Sequence, residues 1–176
     1  MARIYEEIKQ SRPLPMPAQL AGITILRTAD VLDHAIERAL APFGISHQQF
    51  NVLRILRGAG DAGLPTLEIA DHMVSRSPNI TRLLDKLVAK KFARRIRSRQ
   101  DRRVVVISLT SQGEEILADL NLVIDRTFEK FPHLTQAEMQ SLLQVLDRVR
   151  AHLAVKTAKE LVNEDNDSNL RPAGRQ

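Results

Sequence analysis

The sequence predicts a mainly α-helical fold carrying one small β-hairpin. Three observations predict it. Apolar residues recur at three-and-four spacing over most of residues 19–162, the mark of amphipathic helices. Hydroxyl residues followed three positions later by Gln or Glu, at Ser46/Gln49, Ser111/Glu114 and Thr135/Glu138, are capping boxes that open helices. One run only, residues 104–109 (VVVISL), is β-branched and bounded by polar turn residues, and so reads as a strand. At 176 residues, 43% hydrophobic and 27% charged, the chain has the size and balance of one soluble globular domain.

Residues 1–18 contain Pro13, Pro15 and Pro17, and alternate prolines predict an extended arm. From 19 to about 40, Leu20, Ile23, Leu26, Val31, Leu32, Ala35, Ile36 and Ala39 share helical spacing, and Pro42 and Gly44 end the helix. A second helix starts at the Ser46 cap and runs to the glycine-rich loop of residues 58–65. Two shorter helices are expected at about 67–73 and 78–90. The later one is announced by Ser77 before Pro78, a cap followed by proline at the first helical position. Its Ile80, Leu83, Leu84 and Leu87 form one apolar stripe, leaving Asn79, Arg82, Lys86 and Lys90 opposite. Residues 93–97 and 104–109 are expected to pair as a hairpin, which alone would be marginal and must pack on the helices. Two further helices follow, from Thr110 or Ser111 and from Thr135, before a polar tail at 163–176.

The absence of cysteine excludes disulfides, thiolate metal sites and thiol switches. Aromatics at 3% leave little for a single-strand stacking platform. No stretch suits a membrane span or a signal peptide, so a cytoplasmic protein without membrane attachment is expected. The net charge of +5 is concentrated: residues 75–103 hold eleven Lys and Arg against two Asp, a local +9, and the rest carries fifteen against nineteen, or −4. Eight of those eleven cations are Arg, whose planar fork suits phosphates and guanine edges. Two helices joined by a tight turn place the second in a major groove, and a hairpin beside it reaches an adjacent groove.

In residues 67–70 (LEIA), 77–87 (SPNITRLLDKL), Asp101, Arg102 and Arg103, the strand 104–110 and Gly113, the chain resembles the MarR family of winged helix-turn-helix regulators. The likeness spans about residues 19–162. It implies a winged helix-turn-helix domain at about 46–110 with a helical dimerisation region at about 19–40 and 111–162. It also implies a homodimer that binds a pseudo-palindromic operator in double-stranded DNA, and a small anionic or phenolic ligand that weakens the binding.

By that resemblance Ser77, Asn79, Thr81, Arg82 and Lys86 would face the major groove or its phosphates. Arg102 and Arg103 would supply the wing's minor-groove cation, with Asp101 orienting it. Arg76, Arg97 and Arg99 would neutralise phosphate. Asn79 either reads adenine or makes a local bond at the helix start. Asp85 is expected to pair with a neighbouring Arg. Two positions depart from the family pattern: Lys91 stands where glycine is usual, and Ser98 where an acidic residue is common. A left-handed Lys91 would cost about 1 kcal/mol.

The resemblance also places a ligand cleft near Leu32, Ile36, His47, Phe50, Arg54 and Leu117, with His47 either a wall or a solvated first-turn residue. No catalytic or metal constellation can be assembled: the five histidines are scattered, without HxxxH or HExxH spacing. No enzyme activity and no cofactor are expected. A second function class stays open, an architectural protein that binds nucleic acid by charge alone, without an effector.

Overall fold

The computed structural model describes residues 2–9, 16–75, 79–97, 103–129 and 133–168. It comprises two units, Met1–Lys130 and Phe131–Gln176. The first contains α1 (Ala2–Glu7), α2 (Pro17–Leu40), α3 (His47–Ala59), α4 (Thr66–His72), α5 (Ile80–Ala89), strands β1 (Ala93–Arg97) and β2 (Val105–Leu109), and α6 (Ser111–Phe128). The second contains α7 (Gln136–Ser168).

Two of the three capping boxes read in the sequence become hydrogen bonds. At α3 the Ser46 hydroxyl accepts from Gln49 N at 3.2 Å while Gln49 Oε1 accepts from Ser46 N at 3.1 Å, so two orphan donors are satisfied reciprocally. Thr135 and Glu138 make the same exchange before α7. The box expected at Ser111 and Glu114 does not form, because Ser111 is already the first helical residue of α6; the cap is Thr110, whose hydroxyl accepts from Gly113 N at 3.0 Å.

Three segments depart from expectation. Residues 2–7 are helical rather than extended, because this stretch (ARIYEE) precedes the three prolines and nothing in it breaks a helix. Pro17, expected to continue the arm, instead opens α2 at its first turn, where its missing N–H has no partner to lose. The tail expected from residue 163 stays helical through Ser168: adding a residue to an existing helix is cheap, and no Gly or Pro intervenes before Pro172.

The core of the first unit lies where the winged-helix elements meet. Leu53 and Leu56 of α3, Ile69 of α4, Leu84 and Leu87 of α5, Ile107 of β2, and Leu117 and Leu120 of α6 are all essentially inaccessible. Each such side chain contributes roughly 1.5–3 kcal/mol by leaving water. The hairpin runs antiparallel from Ala93↔Leu109 to Arg97↔Val105. It is anchored by more than side-chain packing, since Leu64 bridges Ile107 through backbone bonds of 2.9 and 2.8 Å. Gly63, φ +65, permits this approach, as a Cβ there would lie 2.5 Å from the Ile107 carbonyl oxygen. Gly113 is demanded for the same reason at α6, where a Cβ would collide with the Phe92 carbonyl.

Lys91 adopts the left-handed conformation, φ +62, which closes α5 and turns the chain into β1. Phe92 N donates back to Leu87 O at 3.0 Å, and the Thr110 hydroxyl donates to Lys91 O at 2.6 Å. These bonds hold a geometry that glycine would adopt without strain.

Candidate nucleic-acid interface

The α5 helix sorts its residues by face. Leu84 and Leu87 are buried, with Ile80, Leu83 and Val88 packed beside them, whereas Thr81, Arg82, Asp85 and Lys86 are exposed. Asn79 occupies the N-cap position, exposed, and its side chain makes no capping bond. Its amide is therefore not spent on the helix start. Arg76, Ser77, Arg99, Asp101 and Arg102 lie outside the described residues. Arg97 and Arg103, at the two ends of the wing's described portion, are exposed.

Two side-chain ties hold α5 against its surroundings, and a third holds the turn after α4. Arg95 of β1 donates to Asp85 Oδ1 at 2.6 Å, joining α5 to the hairpin with a charge-assisted bond. Lys90 Nζ donates to the Gly44 carbonyl at 2.5 Å, joining the end of α5 to the corner between α2 and α3. Asn51 Oδ1 accepts from Val74 N at 2.9 Å, holding the turn that leads toward α5. The sequence suggested the first tie through the charge of Asp85 but gave Lys90 to the cationic face. Contacts between residues 46 apart leave no periodic trace.

The same unit contains a cavity of about 510 Å³ bounded by α2, α3 and residues 73–75. Leu32, Ile36 and His47, three of the expected cleft residues, line it. The other three do not: Phe50 and Leu117 belong to the core, and Arg54 is exposed with its guanidinium carbon 5.8 Å from the Phe50 ring centroid. Asp33, Glu37, Asn51, Met73 and Val74 also line the cavity. A helical-wheel signal for part of this wall was present in the sequence, since residues 29, 32, 33, 36 and 37 share one face of α2.

Residues 45–105 match the family model described as the MarR family. The chain is 34% identical over 156 residues to the HTH-type transcriptional regulator PrsX of Escherichia coli, covering 87% of this chain and 93% of that protein. The chain belongs to the MarR family. It is a DNA-binding transcriptional regulator with a winged helix-turn-helix fold. As a member of that family it is also 30% identical over 135 residues to the HTH-type transcriptional repressor MdtR of Bacillus subtilis, covering 74% of this chain and 79% of that protein. Among solved structures, a mutant of Escherichia coli MarR complexed with operator DNA is 28% identical, with a TM-score of 0.64 over 73% of this chain and 91% of that one. Among the described residues of this MarR-family regulator, no helix is long and apolar enough to cross a membrane.

Proposed function

We propose that this MarR-family chain acts as a homodimeric repressor that reads a pseudo-palindromic operator and is released by a small ligand, with no catalytic activity of its own. The observation that carries the reading is α5 itself: an apolar face locked into the core, and an opposite face presenting Thr81, Arg82 and Lys86. Base-edge contacts fall to Asn79 and Arg82, which can pair with adenine and guanine respectively. Ser77, Thr81 and Lys86 face the groove or its phosphates. Arg76, Arg97 and Arg99 neutralise phosphate, and Arg102 and Arg103, oriented by Asp101, enter the minor groove. The operator complex of the related MarR and the repressor name of MdtR support the same assignment.

Apolar side chains that the single chain leaves exposed support dimerisation. Leu26 of α2, Leu122 of α6 and Leu143 and Leu153 of α7 are each more than half exposed. The ligand reading rests on the cavity. Asn51 is both a wall residue and the acceptor for Val74 N, so a ligand that engages the Asn51 amide competes with the bond that holds the approach to α5.

The test is a salt titration of binding to operator, selected from genomic fragments, against random duplex. The regulator is expected to keep roughly a thousand-fold preference at physiological salt, with half-sites about 10 base pairs apart. Equal affinity for both duplexes would give the protein to the charge-only architectural class. A stable folded monomer in sedimentation would remove the two-fold arrangement.

A further inference from the structure

The cavity between α2, α3 and the turn before α5 has walls of two kinds. The apolar part of the lining is Leu32, Ile36, Met73 and Val74. Val74 is 82% exposed, an apolar side chain that the fold leaves without cover. Beside them are carboxylates. Asp33 Oδ1 is bonded to the His47 ring at 2.6 Å, and Glu37 Oε1 accepts from His47 N at 2.8 Å. These bonds set the two carboxylates side by side on consecutive turns of α2. Asp30 adds a third, itself paired with Arg27 at 3.0 Å. No Lys or Arg is among the described lining residues. The one basic group there is His47, whose ring is already engaged by Asp33.

We propose that this cavity takes a lipophilic monocation: an amine or quaternary ammonium head against Asp33 and Glu37, and an apolar body against Ile36, Met73 and Val74. The inference rests on the ligand-released reading above and names the ligand class for that same site. It also departs from the anionic or phenolic ligand that family resemblance implies. An anion would enter beside like charges with no Lys or Arg among the described lining residues to meet it, whereas a cation finds partners already held in place. A volume of about 510 Å³ is within the range of sites for small organic ligands. The methionine on the wall is the side chain best able to reshape around different apolar bodies.

The test uses the full chain and two probes of near-identical shape and opposite charge, phenyltrimethylammonium and benzenesulfonate, titrated by NMR. The double variant D33N/E37Q keeps both hydrogen-bond acceptors for His47 and removes only charge. In the native chain the cation should bind at least about tenfold more tightly than the anion, the scale of one charge-assisted contact. The double variant should lose that preference while keeping its melting temperature within a few degrees. An anion that binds as tightly as the cation, cation binding unchanged in D33N/E37Q, or no cation binding would each overturn the proposal. Operator discrimination is measured on the same samples. If it is present and the cation preference is absent, this inference fails and the regulator reading stands; if it is absent while the preference holds, the regulator reading fails and the cation site stands.

Discussion

Asp85→Asn tests how the protein divides its cations between DNA and itself. In the native chain Asp85 holds Arg95 at 2.6 Å, with both side chains about half exposed. A pair in that setting contributes less than about 1 kcal/mol to stability, so the fold should survive the change. The effect on DNA should be larger. Each protomer loses one negative charge from the recognition helix and releases one guanidinium on the adjacent strand. If the freed Arg95 then meets a phosphate, each new contact steepens the slope of log K against log salt by about 0.9, or about 1.8 for a dimer. If each carboxylate stands about 7 Å from a phosphate, removing the two in a water-like dielectric adds roughly 1.2 kcal/mol, close to tenfold in affinity. Both effects are independent of base sequence, whereas the lost tie between helix and wing harms register on the operator. Random duplex should therefore gain more than operator, and the specificity ratio should fall. Fluorescence anisotropy over a salt series with both duplexes reads all three quantities. An unchanged slope together with weaker binding to random DNA would refute the reasoning, because it would mean that Asp85 positions a cation DNA already uses.

Three further outcomes follow from the backbone and the caps. Gly113→Ala drives a methyl group into the Phe92 carbonyl and should destabilise the domain by about 1–3 kcal/mol, read as a lower urea midpoint at constant slope. Lys91→Gly relieves a left-handed side chain and should stabilise by up to about 1 kcal/mol after the entropy cost of glycine, a rise in midpoint of the opposite sign. The side-chain and backbone bonds from Thr135 hold the Glu138 carboxyl below its ordinary pKa of 4.5. A depressed folded-state pKa means the cap's contribution is fully present above pH 4.5 and is lost as pH falls through the lowered value. Helicity followed by circular dichroism should accordingly fall in acid in the native chain and become flatter with pH in Glu138→Gln.

Local chemistry was readable in the sequence wherever neighbours within four residues determine it. The caps at Ser46 and Thr135, the apolar stripe of α5 and the strand at the end of the wing depend on such spacings. The left-handed residue at Lys91 came instead from the family resemblance, as a departure from its usual glycine. What the sequence withheld depends on contacts across the fold. The bridge from Leu64 to Ile107 joins segments about forty residues apart. Phe50 and Leu117 have the composition of a ligand cleft but are sealed inside because α3 packs on α6. The helix at residues 2–7 was masked by prolines that follow it, and a proline constrains mainly its own position and the residue before it.

The same distinction alters what the local charge of +9 means. Read along the chain, eleven cations seem available to phosphate. In the fold, Lys90 is tied to the Gly44 carbonyl and Arg95 to Asp85, so at least two are committed to holding the recognition helix in place. A phosphate that draws either cation away does so against a bond that positions α5. Non-specific DNA, which offers phosphates in every register, therefore competes directly with the geometry that operator recognition requires. Substituting Lys90 should leave the salt slope almost unchanged while weakening operator more than random duplex, whereas substituting a phosphate-binding lysine on the same helix, such as Lys86, should lower the slope and weaken both duplexes alike.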